Sequence, residues 1–297
     1  ARGMSGASGL LFMQGLSLYG GGARVIHVGD RYLPPLVEVP GVGLPLARVV
    51  KPPDPEALWE WSCEQRGAGS DMDVTWASVW PAAAALAAHL DGNRHLVEGL
   101  RVVELGSGLG VAGLSAAAAG ALRVTLVDRE PLALHCAMST AQVCGLATAP
   151  VGAPAPPGAV HAMQCDWAHA TEALAGQADL VLGSEVLYDP STVSTLVSAA
   201  ASLLHPHGGS LLLAEPAVGR AVGCRQKLDA QAVARGATVS AAPLPPAVAA
   251  GRAEPLLLIE VRFGVQAGSG GAAREGVDTE AAGMQAGAAG AGVAAGA

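Results

Sequence analysis

Val102-Val103-Glu104-Leu105-Gly106-Ser107-Gly108-Leu109-Gly110 is an apolar run that empties into three glycines, and Val111–Ala119 follows as an Ala-rich helical segment ended by Gly120. A strand, a glycine turn and a helix N-terminus in that order form the unit that α/β proteins use to bring backbone close to a ligand at the carboxyl end of a sheet. The dinucleotide fingerprint would need glycine where Val111 stands, and a phosphate-binding P-loop would need Gly-Lys-Ser/Thr. Neither pattern fits.

Working outward, Leu122–Val127 reads as a second strand closed by Asp128, about twenty residues beyond the glycines. A carboxylate there has two readings, a grip on ribose hydroxyls or a cap on the next helix, Pro131–Val143. Further strands are expected near Val160–Gln164, Leu180–Gly183 and Ser210–Ala214, and helices at Pro81–Leu90, through Leu196–Leu204 and at about 219–235. A weak strand signal at Thr238–Ser240 and a strong one at Leu256–Phe263 predict a closing antiparallel hairpin. Arg101–Leu105 and its successors are continuous apolar runs, as strands buried on both faces require. The expected fold class is α/β: a doubly wound, Rossmann-like, seven-stranded and mostly parallel sheet with a C-terminal antiparallel hairpin.

Four regions are expected. Residues 1–23 are Gly/Ser-rich and read as poorly ordered. Residues 24–75 form an extension with short strands (Val25–Val28, Leu36–Val39) and a helix through Trp59 and Trp61, opened by Pro52, Pro53 and Pro55. Residues 76–263 form the α/β domain, interrupted by a Pro/Gly/Ala surface loop at 149–158. Residues 264–297 hold too little apolar surface to offset their ordering entropy and read as a disordered tail.

The net charge of −8 and the lack of clustered Lys and Arg argue against general binding to nucleic acid or anionic membranes. No apolar run reaches the about 20 residues that cross a bilayer. Five cysteines, Cys63, Cys136, Cys144, Cys165 and Cys224, have no Cys-x-x-Cys pair and read as reduced residues of a cytoplasmic protein, with an organelle as the other compartment. His205 and His207 flank Pro206 without partners at metal spacing, so no metal site is expected. No Gly-x-Ser-x-Gly elbow is present to supply a hydrolase nucleophile.

Glu104 before Gly-x-Gly, then Asp128, then Asp166-Trp167 after the third strand resembles the class I S-adenosylmethionine-dependent methyltransferases. Thr75-Trp76-Ala77-Ser78-Val79-Trp80-Pro81-Ala82-Ala83 looks like the W-P-x-A-x-x-L-A segment of methyltransferase family 16, and Gly183-Ser184-Glu185-Val186-Leu187-Tyr188 resembles its D/E-x-x-Y motif. The resemblance implies that Gly106, Ser107 and Gly108 pass under the methionine part of S-adenosylmethionine and that Glu104 anchors their loop. It implies that Asp128 holds the ribose, Asp166 and Trp167 meet the adenine, and Trp80 and Ser184 touch the cofactor. Glu185 and Tyr188 then face an incoming amine, with a lysine side chain of a protein substrate as the acceptor. Glu185 is one methylene longer than the Asp several family members carry. On the residues alone, Trp80 also reads as a core aromatic, Glu185 as a helix cap and Tyr188 as packing. Methylation of a small molecule or of another protein side chain such as Arg or His, and a non-catalytic binding module, are the competing functions. The Asn/Asp-Pro-Pro-Tyr sequence of nucleic-acid amino methyltransferases is absent, since Glu185-Val186-Leu187-Tyr188 stands in its place.

Overall fold

The computed structural model describes residues 36–66, 73–246 and 254–264. The readings of residues 1–23, of Val25–Val28 as a strand, and of the tail beyond Gly264 lie outside them. Two short strands come first, β1 (Val37–Pro40) and β2 (Arg48–Lys51), paired antiparallel. They are followed by α1 (Pro55–Arg66) and α2 (Pro81–Gly92). Then strands and helices alternate: β3 (Arg101–Leu105), α3 (Val111–Ala118), β4 (Arg123–Asp128), α4 (Pro131–Val143), β5 (Ala159–Gln164), α5 (Trp167–Leu174), β6 (Leu180–Ser184), α6 (Val193–Leu203) and β7 (Gly209–Pro216). Helix α7 (Cys224–Val233) and strands β8 (Thr238–Leu244) and β9 (Leu256–Phe263) complete the order.

The main sheet has seven strands in the order β5-β4-β3-β6-β7-β9-β8. Strands β5, β4, β3, β6 and β7 are parallel, and β9 runs antiparallel between β7 and β8. The sheet builds outward from β3 in both directions, so the loops after β3 and β6 diverge and leave a crevice at their carboxyl ends.

Helices α2, α3 and α4 share one hydrophobic cluster on one face, and α5, α6 and α7 share another on the opposite face. Leu86, Leu90, Leu114, Leu126, Leu134 and Leu182 are completely buried in the first. Each such side chain contributes roughly 1.5–3 kcal/mol relative to an exposed position. Small residues let α3 lie close to the sheet: a Cβ on Gly113 would come within 2.5 Å of Leu126 Cδ2 and 2.6 Å of Glu104 Oε2.

Three elements depart from the sequence reading. The partner of β1 among the described residues is Arg48–Lys51, a run too short to stand out, whose Val49 and Val50 are buried against α4. The Val50 amide donates to Thr140 Oγ1 at 2.9 Å, so the extension shares the core of the domain. Helix α5 was not expected; Asp166 caps it, accepting from the Ala168 amide at 3.1 Å, and its eight residues make barely two turns, too few for a period to stand out. Helix α7 begins at Cys224 instead of near 219, because the Gly219 to Gly223 stretch turns first and Gly223 sits at φ +87°.

Candidate active site

The crevice is a cleft of about 500 Å³ lined by the β3–α3 loop, the end of β4, the start of α5, the β6–α6 loop and the Trp76–Trp80 segment. Gly106, Ser107 and Gly108 form its floor. Gly106 adopts φ +65°, and a Cβ there would lie 3.1 Å from Val186 Cγ1 and 3.3 Å from Trp167 Cζ2. Two flanking side chains thus pack against the bare Cα, where only glycine fits without strain.

Glu104 does not line this cleft. It is buried beneath the loop, where Oε2 accepts from the Gly113 amide at 2.9 Å in the first turn of α3. Burial pushes its carboxyl up to about 8, with the Gly113 amide opposing the shift. It supports the loop through α3. Asp128 does reach the cleft: Oδ2 accepts from the Gly108 amide at 2.7 Å and Oδ1 from the Glu130 amide at 2.9 Å. It therefore both fixes the glycine loop and stands at the strand end with lone pairs remaining. Burial raises its pKa while the two amides pull it down.

Aromatic walls enclose the floor. Trp167 and Asp166 line one side, Trp76 and Trp80 another. The Trp80 indole donates to the Thr75 carbonyl at 2.8 Å, which fixes the ring ahead of Pro81, the first residue of α2. Buried Ser107 Oγ and Trp76 Nε1, both on residues of the cleft wall, have no partner among the described residues.

Ser184, Glu185 and Tyr188 follow β6 into the same cleft. Glu185 holds φ +52°, a left-handed conformation that is strained for a side-chain-bearing residue. Behind the turn, Glu215 Oε1 accepts from the Val186 and Leu187 amides at 2.8 and 3.2 Å. The charge of Glu185 is paired within the chain. Its Oε1 accepts from the Ala82 amide at 3.2 Å, and Oε2 accepts from both Nε (2.9 Å) and Nη2 of Arg220. Arg220 also reaches Glu254 Oε1 at 2.8 Å and lies 5.5 Å from the centre of the Trp80 ring. Tyr188 is half exposed, and burial of its other half raises the phenol pKa. Arg220 and Glu215 were not singled out in the sequence; a lone arginine in a Gly/Val loop and an acid closing an apolar strand carry no motif.

His135, His205 and His207 do not line the cleft. His205 and His207 stack at 4.8 Å in the turn before β7, and His135 is buried on α4, its pKa pushed down to about 4 by burial. All five cysteines are free thiols. Among the described residues no group of three or more His, Cys, Asp or Glu is placed to hold a metal, and no helix is long and apolar enough to cross a membrane.

These features fit a nucleoside bearing a cationic sulfonium. Unpartnered Ser107 Oγ and Trp76 Nε1 offer polar atoms, and Asp128 at the end of β4 and the ring of Trp167 line the same cleft. Residues 69–216 match the family model described as lysine methyltransferase. EEF1A lysine methyltransferase 3 of Mus musculus is 33% identical over 142 residues, 47% of this chain and 55% of the relative. Protein N-lysine methyltransferase METTL21A of Danio rerio is 35% identical over 125 residues, 41% of this chain and 52% of the relative. Histone-arginine methyltransferase METTL23 of Rattus norvegicus is 31% identical over 129 residues, 42% and 52% of the respective chains. The chain spans about half the length of these curated relatives. Through residues 69–216 it belongs to the lysine methyltransferase family, a branch of the class I methyltransferases whose methyl donor is S-adenosylmethionine.

Proposed function

We propose that this chain methylates a cationic side chain of a protein, with the ε-amine of lysine as acceptor and the cytoplasm as its compartment. The observation that carries this reading is a cation, the Arg220 guanidinium, held by Glu185 and lying over the Trp80 ring in the wall of the cleft. A carboxylate beside an aromatic face is the chemistry that recognises an organic cation. The net charge of −8 favours a basic protein substrate over nucleic acid.

S-adenosylmethionine supplies a methyl group already activated on a sulfonium. The work of the protein is then to hold donor and acceptor in line and exclude water, an orientation effect worth several kcal/mol, up to about 7–11. The Gly106–Gly108 backbone, Asp128 and Trp167 position the donor. Glu185 orients the acceptor nitrogen, and Tyr188 and Trp80 shield it. A lysine amine has a reference pKa near about 10.4 and must lose its proton before it attacks. Desolvation by the aromatic walls lowers that pKa, a carboxylate raises it, and the proton leaves to water. Glu185 acts as a positioning anion and not as a strong base.

Arginine is the second acceptor to consider, because the position beside Glu185 already accommodates a guanidinium and one relative is named for arginine. Tritiated-methyl transfer to a lysate of cells lacking the protein, followed by acid hydrolysis, separates the two. Label recovered as methyllysine supports the proposal. Label recovered as methylarginine moves it to the second acceptor, and label confined to small molecules or nucleic acid overturns it.

A further inference from the structure

Glu185 and Trp80 form a slot for one organic cation, and Arg220 fills it. The guanidinium lays two N–H donors on Glu185 Oε2 and lies over the Trp80 ring. Its remaining donors turn outward to Glu254, which accepts at 2.8 and 3.4 Å. Arg220 is the residue of the 217–223 loop that reaches the cleft, and its neighbours Val218 and Val222 are 86% and 96% exposed. The other charged groups near the slot are Glu215, buried behind the β6–α6 turn, and Asp73, Asp128, Arg129, Glu130 and Asp166 on the cleft wall.

We infer that Arg220 is a specificity residue that occupies the acceptor's cation position until a side chain displaces it onto Glu254. This rests on the methyl-transfer reading for its purpose, while the slot itself rests on geometry alone. Two carboxylates flank Arg220, so one can retain it while the other receives the newcomer. A cation must therefore out-compete a guanidinium that lays two donors on one carboxylate oxygen and lies over the Trp80 ring, and a neutral side chain gains nothing by entering. The slot accordingly selects for charge and sets the acceptor's KM more than its kcat.

The test uses n-butylammonium as a lysine side-chain probe and n-butanol as its neutral counterpart, titrated into the full chain without cofactor at pH 8 and read by tryptophan fluorescence. Arg220→Ala is expected to bind n-butylammonium at least tenfold more tightly than the wild-type chain, Arg220→Lys to fall between them, and n-butanol to show no difference. Adding Glu185→Gln to Arg220→Ala should remove the gain. Equal n-butylammonium affinity in the wild-type chain and both Arg220 variants overturns the inference, as does a gain that survives Glu185→Gln. Calorimetry with S-adenosylhomocysteine on the same samples reports on the methyl-transfer reading separately, because a failure there leaves the cation titration intact.

Discussion

Replacing Glu215 with alanine tests how the Glu185 turn is held. Its Oε1 is the acceptor for the Val186 and Leu187 amides, and the side chain is 3% exposed, so water does not take its place. Each buried N–H stripped of its acceptor costs about 1–3 kcal/mol, and two cost about 2–6 kcal/mol. For a domain of this size that lowers the melting temperature by roughly 4–24 °C. Glu215→Gln keeps an oxygen facing both amides and should lose less than about 1 kcal/mol. Burial raises the Glu215 carboxyl to about 8, so at neutral pH the wild-type group is mostly protonated and glutamine resembles it. The folded protein holds this proton more tightly than the unfolded chain, whose glutamate titrates near about 4.3. The stability it contributes is full below that value and is lost as pH rises through about 8. Thermal melts of the three proteins between pH 5 and 8.5 measure both effects. A melting temperature for Glu215→Ala within the error of wild type, or glutamine as damaging as alanine, would refute the reasoning.

Glu104, also raised to about 8 by burial, adds a slope of the same sign, so Glu104→Gln should flatten the fall in melting temperature between pH 5 and 8. An unchanged slope would show that the group is not protonated in the fold. Gly106→Ala places a methyl 3.1 Å from Val186 and 3.3 Å from Trp167 at φ +65°. Calorimetry should show S-adenosylhomocysteine binding weakened at least tenfold, and equal affinity would remove the loop from the site. Burial raises the thiols of Cys136 and Cys165 to about 12 and 11, so iodoacetamide at pH 7 should leave both unmodified in the native protein, as mass spectrometry of the peptides would reveal. Tyr188→Phe should change stability by under about 0.5 kcal/mol, since the ring is half exposed, while lowering methyl transfer to labelled lysate protein.

The order of strands and helices was legible because the parallel strands are apolar runs separated by glycines and prolines; β3, α4 and β9 begin and end where the pattern of residues changes. The glycine floor and Asp128 were legible for the same reason, being punctuation at strand ends. What the pattern hid depends on contacts between distant segments. Arg220 lies 35 residues from Glu185 along the chain, and only the register of β6 beside β7 brings the two loops together. Glu215 was hidden because its strand was expected to end at Ala214. Glu104 meets the Gly113 amide of α3 from below the cleft, a direction that strand alternation alone does not give.

The proposed activity requires a donor seated across the β3 glycine turn with its sugar at the end of β4. Titrating the full chain with S-adenosylhomocysteine in a calorimeter, beside Asp128→Ala, is the direct measurement. One site per chain in the wild type and an affinity at least tenfold weaker in the variant are predicted. No heat of binding in the wild type, or equal binding by both, would contradict it.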